Sequence, residues 1–304
     1  MHTTTAQPLD LAALARGVNH LPALPEVVAE LLQVLRRDSL SAQRCISLIE
    51  RDPALAGRTL RLANSAFYGV SGRVGSVGDA VRLLGLRTVA GVLAAVSLQD
   101  TLGVTSCAGF SLQRHWQHAV TTALAARCLA AAAGLDPEQA FLAGLLQDSG
   151  QLVLAALAPL QAAHTLAQAQ ASGQAIEAVE HALLGVAHPQ LGALLVRHWH
   201  LPEAIAQAIA LHHAAPVGAY GTASGATSST TAGLVPQPTG LADVLQAGDA
   251  LVQALQHTPN VDSALAIWRA SALPARPQDP AAARQMLVAV DQGSREFAAV
   301  LQTG

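Results

Sequence analysis

Residues 136–150 read DPEQAFLAGLLQDSG, and this stretch predicts a buried helix that ends at two polar side chains. Asp136 followed by Pro137 is typical of a helix N-terminus, because an aspartate can cap free backbone amides and proline fits the first turn. The apolar residues that follow have helical spacing and lead directly to Gln147 and Asp148. The pattern therefore places a carboxamide and a carboxylate near the end of a helix in the protein core.

Similar signals for the start of a helix recur along the chain. Asp52 precedes Pro53, and Ser76 is followed three residues later by Asp79, which is a capping signature. Pro25 precedes an amphipathic run with helical spacing. No stretch of the sequence alternates apolar and polar residues as a half-buried strand would. The sequence therefore predicts an all-α fold.

The composition is that of closely packed helices. Of the 304 residues, 51% are hydrophobic and only 12% are charged, about half of the usual charged share. A chain of this length can bury a core without disulfides or metals. Cys45, Cys107 and Cys128 lack the paired spacing of a disulfide framework or a thiolate zinc site. We therefore expect a protein of a reducing cytoplasm that needs no cofactor.

The charge balance argues against two classes of partner. The net charge is -3 and no basic cluster is larger than Arg36 and Arg37, so binding to nucleic acid or anionic lipid is not expected. The N-terminal residues show no basic region followed by an apolar stretch. The most apolar segment, residues 89–98, is shorter than the roughly 20 residues that cross a bilayer. We therefore expect a cytoplasmic protein that binds proteins or small molecules, with no membrane partner.

One tract interrupts the helical pattern. Residues 218–240 are rich in glycine, serine, threonine and alanine, and they cannot bury enough apolar surface to offset the entropy lost on ordering. Helical periodicity resumes at Leu241. The sequence therefore predicts a flexible surface loop at about residues 216–240, which interrupts a domain and does not end it.

Several other segments, together with residues 141–150, resemble the HDOD (HD-related output) domain family. They are LPALPE at 21–26, IERDPAL at 49–55, LANSAFYG at 62–69, AVRLLG at 80–85, Trp116, His118, His188-Pro189, Leu191-Gly192 and Leu211-His212-His213. So many matches in the same order are more specific than one short motif. The resemblance implies an all-α protein in which an N-terminal helical lobe, residues 1–106, packs against a degenerate HD-type helical bundle, residues 107–304.

The resemblance also implies a degenerate site. In catalytic HD relatives, a histidine, an adjacent histidine–aspartate pair and a later aspartate hold a metal ion that activates water against a phosphate ester. These positions map onto His118, Gln147, Asp148 and Asp249. The carboxamide of Gln147 is a weak neutral ligand in place of an imidazole, and Gln151 stands where active members commonly carry a lysine. The resemblance therefore implies a protein without hydrolytic activity.

The three retained residue types each have more than one interpretation. His118 is either a polar contact between helices or a remnant metal ligand. For Asp148, a capped or hydrogen-bonded carboxylate near a helix end is favoured over a metal ligand. The alignment of Asp249 depends on the assumed length of the preceding loop. We expect no bound metal. If an ion is bound, we expect His118, Asp148 and Asp249 to hold it. A hard ion such as magnesium would instead be held by oxygens of Asp148 and Gln147.

Other histidines are candidates for a polar cleft or a metal centre. His188, His212 and His213 lie in segments that match the family, and they can form a polar cleft. His181 lies seven residues before His188, which is about 10 Å along a helix axis and too far to share one ion. Pro189 is also expected to break a helix between these two histidines.

These observations favour a bacterial signal-transduction protein that regulates by binding a protein or a small ligand, without catalysis. The identity of the partner and the oligomeric state stay open. The alternative is a metal-dependent phosphohydrolase that acts on a nucleotide or cyclic dinucleotide through His118, Asp148 and Asp249, with His188 as a further candidate. A third hypothesis is a ligand-sensing module that uses the old pocket without a metal.

Overall fold

Helices make up every regular element that the computed structural model describes, which confirms the predicted all-α fold. The described residues are 16–17, 25–36, 42–64, 73–102, 107–214, 240–258, 260–270 and 279–302. The helices are α1 (Glu26–Arg36), α2 (Ala42–Glu50), α3 (Pro53–Ala63), α4 (Val77–Leu84), α5 (Leu86–Leu102), α6 (Leu112–Ala132), α7 (Pro137–Leu146), α8 (Ser149–Leu157), α9 (Pro159–Ser172), α10 (Ile176–Leu184), α11 (His188–His198), α12 (Glu203–Leu211), α13 (Leu241–His257), α14 (Val261–Ala270) and α15 (Pro280–Gln302). The loop predicted at about residues 216–240 lies outside the described residues, apart from Gly240.

The helix starts that were predicted from capping residues are confirmed. The carboxylate of Asp52 accepts hydrogen bonds from two backbone amides at 2.8 and 3.2 Å at the start of α3. Asp136 caps α7 in the same way, with two amides at 2.9 and 3.2 Å. The hydroxyl of Ser76 accepts the amide of Asp79 at 3.0 Å at the start of α4. Local sequence signals therefore decide where these helices begin.

Helix α7 lies at the centre of the core and packs against α5, α6, α12 and α13. Its residues 140–146 are all buried. Gly144 allows a close approach to α6, because a Cβ atom at this position would lie only 2.7 Å from the Cα atom of Ala123. Small side chains at such contacts explain why an alanine-rich sequence with few aromatic residues still packs densely.

The N-terminal helices share one hydrophobic core with the rest of the fold. Helix α5 contacts α1, α3 and α4 as well as α7 and α8, and its residues 89–98 are all buried. A polar link reinforces this contact: the carboxylate of Glu138 on α7 accepts the backbone N–H of Thr88 at 3.2 Å and pairs with Arg127 of α6 at 2.9 Å. Apolar and charged contacts therefore both join α5 to the central helices.

Residues Pro137–Leu157 are long and apolar enough to cross a membrane by length and hydropathy alone, but 83% of their most apolar window is buried inside the fold. The stretch is also not one element, because α7 ends at Leu146 and α8 begins at Ser149. Helices α4 and α5 pass the same test as a pair, with a bend of 106° between them. Residues 137–157 thus belong to the protein core.

His181 and His188 lie on two different helices, as expected from the sequence. Helix α10 ends at Gly185, which has the left-handed backbone (φ 75°) that glycine adopts without strain. Helix α11 then begins at His188, with Pro189 in its first turn. The proline therefore starts the second helix and does not interrupt a continuous one. His181 is exposed on α10, whereas His188 is buried.

Candidate functional site

The junction between α7 and α8 presents two buried polar side chains to the interior. Gln147 is 0% exposed and Asp148 is 5% exposed. Asp148 precedes the first residue of α8, and its side chain makes no capping hydrogen bond, so its polar contacts are those with other side chains. Its backbone (φ -94°, ψ 9°) lacks the extended conformation of a capping residue, and the carboxylate turns toward histidines from other helices.

On one side of Asp148, three side chains form a hydrogen-bonded group, which we call the His118 group: His118, Gln147 and Asp249. Nε2 of His118, on α6, lies 2.8 Å from Asp249 of α13 and 3.3 Å from Asp148. The carboxamide nitrogen of Gln147 donates to Asp249 at 3.4 Å and lies 3.5 Å from Nε2 of His118. These contacts tie α6, α7 and α13 together through polar atoms.

The imidazole of His118 is protonated at neutral pH. Burial alone would lower its pKa, but the hydrogen bond to Asp249 and the charges of Asp148 and Asp249 outweigh burial and raise the pKa to about 9. Burial would likewise raise the pKa of Asp249, and the contact with His118 instead holds it below its usual value. His118 and Asp249 therefore form a buried ion pair.

On the other side of Asp148, three imidazoles converge. Oδ1 of Asp148 lies 3.3 Å from Nε2 of His188 and 3.5 Å from Nε2 of His212. One donor atom from each of these residues and one from His213 all lie within 4.8 Å of one another. We call these four residues the histidine cluster. Three imidazole nitrogens and one carboxylate oxygen are a ligand set that zinc and similar divalent metals accept.

Hydrogen bonds hold the far side of two imidazoles in the histidine cluster. Nδ1 of His188 lies 2.7 Å from the carboxylate of Glu180, which also accepts the backbone N–H of His188 at 2.8 Å. Nδ1 of His212 lies 2.7 Å from the carbonyl oxygen of Ile209. Both acceptors require a proton on Nδ1. Nε2 of each ring faces Asp148. Within the described ranges, neither Nε2 atom has a partner in hydrogen-bond geometry.

Opposite charges balance inside the histidine cluster. Burial would raise the pKa of Asp148, but the neighbouring imidazoles of His188, His212 and His118 hold it well below its usual value. Burial lowers the pKa of His188, and the charges of Glu180 and Asp148 more than offset this and raise it to about 10. His188 is therefore the charged partner of two buried carboxylates, Glu180 and Asp148.

The two groups differ in whether they fit the metal ion that an HD-type fold implies. The His118 group does not fit, because the carboxamide N–H of Gln147, which is not a metal ligand, faces its centre and donates to Asp249. The histidine cluster fits, because two buried Nε2 atoms without hydrogen-bond partners face a carboxylate oxygen. A metal ion would therefore bind at a place other than the one expected from His118, Asp148 and Asp249.

A pocket of about 1020 Å³ opens beside both groups. Its floor includes His118, Asp148, His213 and Asp249. Five of its wall residues are glutamines, whose carboxamides can both donate and accept hydrogen bonds: Gln117, Gln151, Gln170, Gln253 and Gln256. Burial lowers the pKa of His115, another wall residue, to about 4, so this imidazole is neutral. The walls therefore suit a polar ligand more than an apolar one.

Gly150 sets the distance between α8 and α11. A Cβ atom at this position would lie 2.0 Å from the carbonyl oxygen of His188 and 2.8 Å from the backbone nitrogen of Gly192. A side chain of any size would therefore push the two backbones apart. Glycine at position 150 lets α8 approach α11 closely. Because Asp148 lies two residues before Gly150, this approach keeps His188 close to Asp148.

All seven residues singled out from the sequence lie in this region: His118, Gln147, Asp148, His188, His212, His213 and Asp249. Their role as a site stays a prediction. The sequence analysis missed Glu180, which orients His188. Gly185 ends the helix between these two residues, so no helical spacing pointed to their contact.

Histidines and aspartates buried together in an all-α bundle are the features of an HD-like helical fold. The family model of the HDOD domain matches residues 21–215. The chain therefore belongs to the HDOD domain family, which confirms the resemblance seen in the sequence.

Known proteins share this fold over most of the chain. A candidate phosphohydrolase from Shewanella amazonensis SB2B is 27% identical, with a TM-score of 0.74 over 95% of this chain and 98% of that one. A candidate signal transduction protein from Marinobacter aquaeolei VT8 is 21% identical, with a TM-score of 0.65 over 99% of this chain and 68% of that one. At this identity the second likeness shows the fold alone.

A curated relative is an uncharacterized protein of Treponema pallidum (strain Nichols), which is 29% identical over 208 residues. The match covers 67% of this chain and 40% of the relative, so the chain spans less than half of that protein's length.

Proposed function

We propose that this chain is a signal-transduction module that regulates by binding a protein or a small ligand and does not hydrolyse phosphate esters. The observation that carries the proposal is the position of Gln147. Its buried carboxamide stands where catalytic HD proteins need an imidazole, and it donates to Asp249. An amide that is hydrogen-bonded to a neighbouring carboxylate supplies no useful ligand for a catalytic metal.

Hydrolysis of a phosphate ester needs a metal-bound water and positive charge around the phosphoryl oxygens. The His118 group provides neither, because His118 is committed to Asp249 and Asp148. Gln151 brings a neutral carboxamide to the pocket wall, where catalytic relatives carry a lysine. The chemistry of this half of the site thus favours binding over catalysis.

The pocket supports binding of a small polar ligand in preference to an apolar one. Carboxamides from α6, α8, α9 and α13 face it, and Arg114 and the cationic His118 contribute positive charge. The carboxylates of Asp148 and Asp249 lie at the floor beside them. Such a mixture of donors, acceptors and both charges fixes the orientation of a polar ligand through hydrogen bonds.

A second candidate function is metal-dependent phosphohydrolysis. The histidine cluster favours it, since it offers four metal-ligand side chains, and so does the likeness at 27% identity to a candidate phosphohydrolase. A metal with four protein ligands has no open position for water, however, whereas catalytic zinc sites keep one. We therefore rank this function second.

An assay of the intact chain tests the proposal. We expect the chain, supplied with zinc or manganese, to leave nucleotides and cyclic dinucleotides intact, and a bound ligand to raise its melting temperature. Gln147→His is the matched variant, because it restores the missing imidazole. Product formation by the wild-type chain that Asp148→Ala abolishes would contradict the proposal and establish the second function.

A further inference from the structure

We propose that the histidine cluster binds one zinc-like divalent metal ion through four protein ligands, and that Glu180 positions His188 for this purpose. The ion would be structural, whereas the sequence predicts no metal and names His118, Asp148 and Asp249 only in case an ion is bound. Four donors from the start of α8, the start of α11 and the end of α12 meet there. The inference goes beyond binding of a partner, because it concerns how the module itself is held together.

The distances between donor atoms suit a tetrahedral ion. Zinc lies about 2.0–2.1 Å from nitrogen or oxygen ligands, so neighbouring ligands of a tetrahedral site are about 3.3 Å apart. Oδ1 of Asp148 lies 3.3 Å from Nε2 of His188 and 3.5 Å from Nε2 of His212. All four donors lie within 4.8 Å of one another, so the widest pair must close by at most about 1.5 Å. His213 is half-buried and has room to make that movement.

Two ligands are oriented before any ion binds. Glu180 accepts a hydrogen bond from Nδ1 of His188, and the carbonyl oxygen of Ile209 accepts one from Nδ1 of His212. Metal-binding imidazoles commonly donate their other N–H to a carboxylate or a backbone carbonyl, which fixes the ring and strengthens the ligand. Both kinds of acceptor are present here. Glu180 is 3% exposed, so its carboxylate is held inside the fold next to His188.

Imidazole nitrogens that are buried in a protein usually bind a hydrogen-bond partner or a metal ion. His188 is 0% and His212 is 2% exposed, and the Nε2 atom of each lacks a hydrogen-bond partner within the described residues. The long contacts of these atoms with Oδ1 of Asp148, at 3.3 and 3.5 Å, leave their hydrogen-bonding capacity poorly satisfied, at a cost in free energy that a bound ion would remove. The ion would also cross-link α8, α11 and α12, so metal binding should stabilise the folded state.

Zinc titration of the intact chain is the first test. We expect the chelator-stripped protein to bind one zinc per chain, measured by elemental analysis and by competition with a chromophoric chelator. Cobalt in place of zinc should give the intense visible absorption of a four-coordinate tetrahedral ion. Binding well below one ion per chain would overturn the proposal, and so would the weak absorption of a six-coordinate cobalt ion. These readouts do not depend on hydrolysis, so they separate this proposal from the proposed function.

Variants then locate the ion. His188→Ala and His213→Gln should each weaken zinc binding by more than about 100-fold, because each removes a ligand outright. His213 is half-buried, so its variant still tests the site if His188→Ala fails to fold. His118→Gln and the exposed His181→Ala should keep one zinc per chain. Loss of zinc in His118→Gln with retention in His213→Gln would overturn the assignment and favour the ligand set expected from the sequence.

The role of Glu180 has its own test. Glu180→Gln should weaken zinc binding by about 10–100-fold, while one ion still binds at saturation and the cobalt spectrum keeps its tetrahedral form. Glu177→Gln, on the same helix, is the matched control and should bind zinc as the wild type does. Equal affinities for the two variants would overturn the positioning role of Glu180 and leave the four-ligand site to the preceding tests.

Discussion

Replacing Gly150 by alanine should destabilise the protein, although this change usually stabilises the interior of a helix by about 0.5–1 kcal/mol. The added methyl group would lie 2.0 Å from the carbonyl oxygen of His188, and ordinary contacts begin at 3.4 Å. Helices α8 and α11 must therefore separate by up to about 1.4 Å, and overpacking of this kind costs about 1–3 kcal/mol. After the gain in helix propensity, we expect a net loss of roughly 1–2 kcal/mol in the free energy of unfolding.

Urea unfolding followed by circular dichroism would measure this loss, with a chelator present so that metal binding does not contribute. Gly57→Ala on α3 is the matched control, because its new methyl group would meet nothing closer than 3.9 Å. We expect this control to gain about 0.5–1 kcal/mol. If Gly150→Ala gained stability as well, the close approach of α8 to α11 would be refuted, and with it our account of how His188 reaches Asp148.

Two further predictions concern charged contacts. The folded-state pKa of His118 is about 9, above its ordinary value of 6.5, so its stabilisation is complete below pH 6.5 and is lost as the pH rises through 9. At about 1.4 kcal/mol per pKa unit, His118→Gln should remove at most about 3.5 kcal/mol of that pH dependence in urea unfolding with chelator. Equal slopes in both proteins would contradict this. Glu138→Gln should lower the free energy of unfolding by about 1–3 kcal/mol, because Thr88 and Arg127 lose a charged partner. Glu177→Gln serves as its control, and an equal effect of both changes would argue against the polar link.

The parts of the fold that follow from local chemistry were predictable. Asp52, Ser76 and Asp136 each bind backbone amides within three residues of themselves, so their sequence context alone marks the start of a helix. Asp148 also precedes the first residue of a helix, but its side chain makes no capping hydrogen bond. The chain passes from α7 to α8 with almost no extended backbone between them, and this leaves the carboxylate free to face the histidines.

The composition of the site was predictable only through the resemblance, and its division into two groups was not. The family motifs pointed to His188, His212 and His213, but their distances from Asp148 depend on how α11 and α12 pack on α8. That packing in turn depends on a glycine contact with no signature in the sequence. Contacts between distant segments, such as Glu180 with His188 across the end of α10, are decided by tertiary structure and not by spacing.

The burial of α5 on all sides has a practical consequence for anyone who handles this protein. Its residues 89–98 are buried, and the helix contacts α1, α3 and α4 as well as α7. A fragment cut after α5 would uncover the apolar surface of α7 and invite aggregation. Helices α13 and α15 pack on α6 in the same core. For expression, grafting onto another protein or fusion to a reporter, residues 25–302 are therefore best carried intact, and new joints belong outside that span.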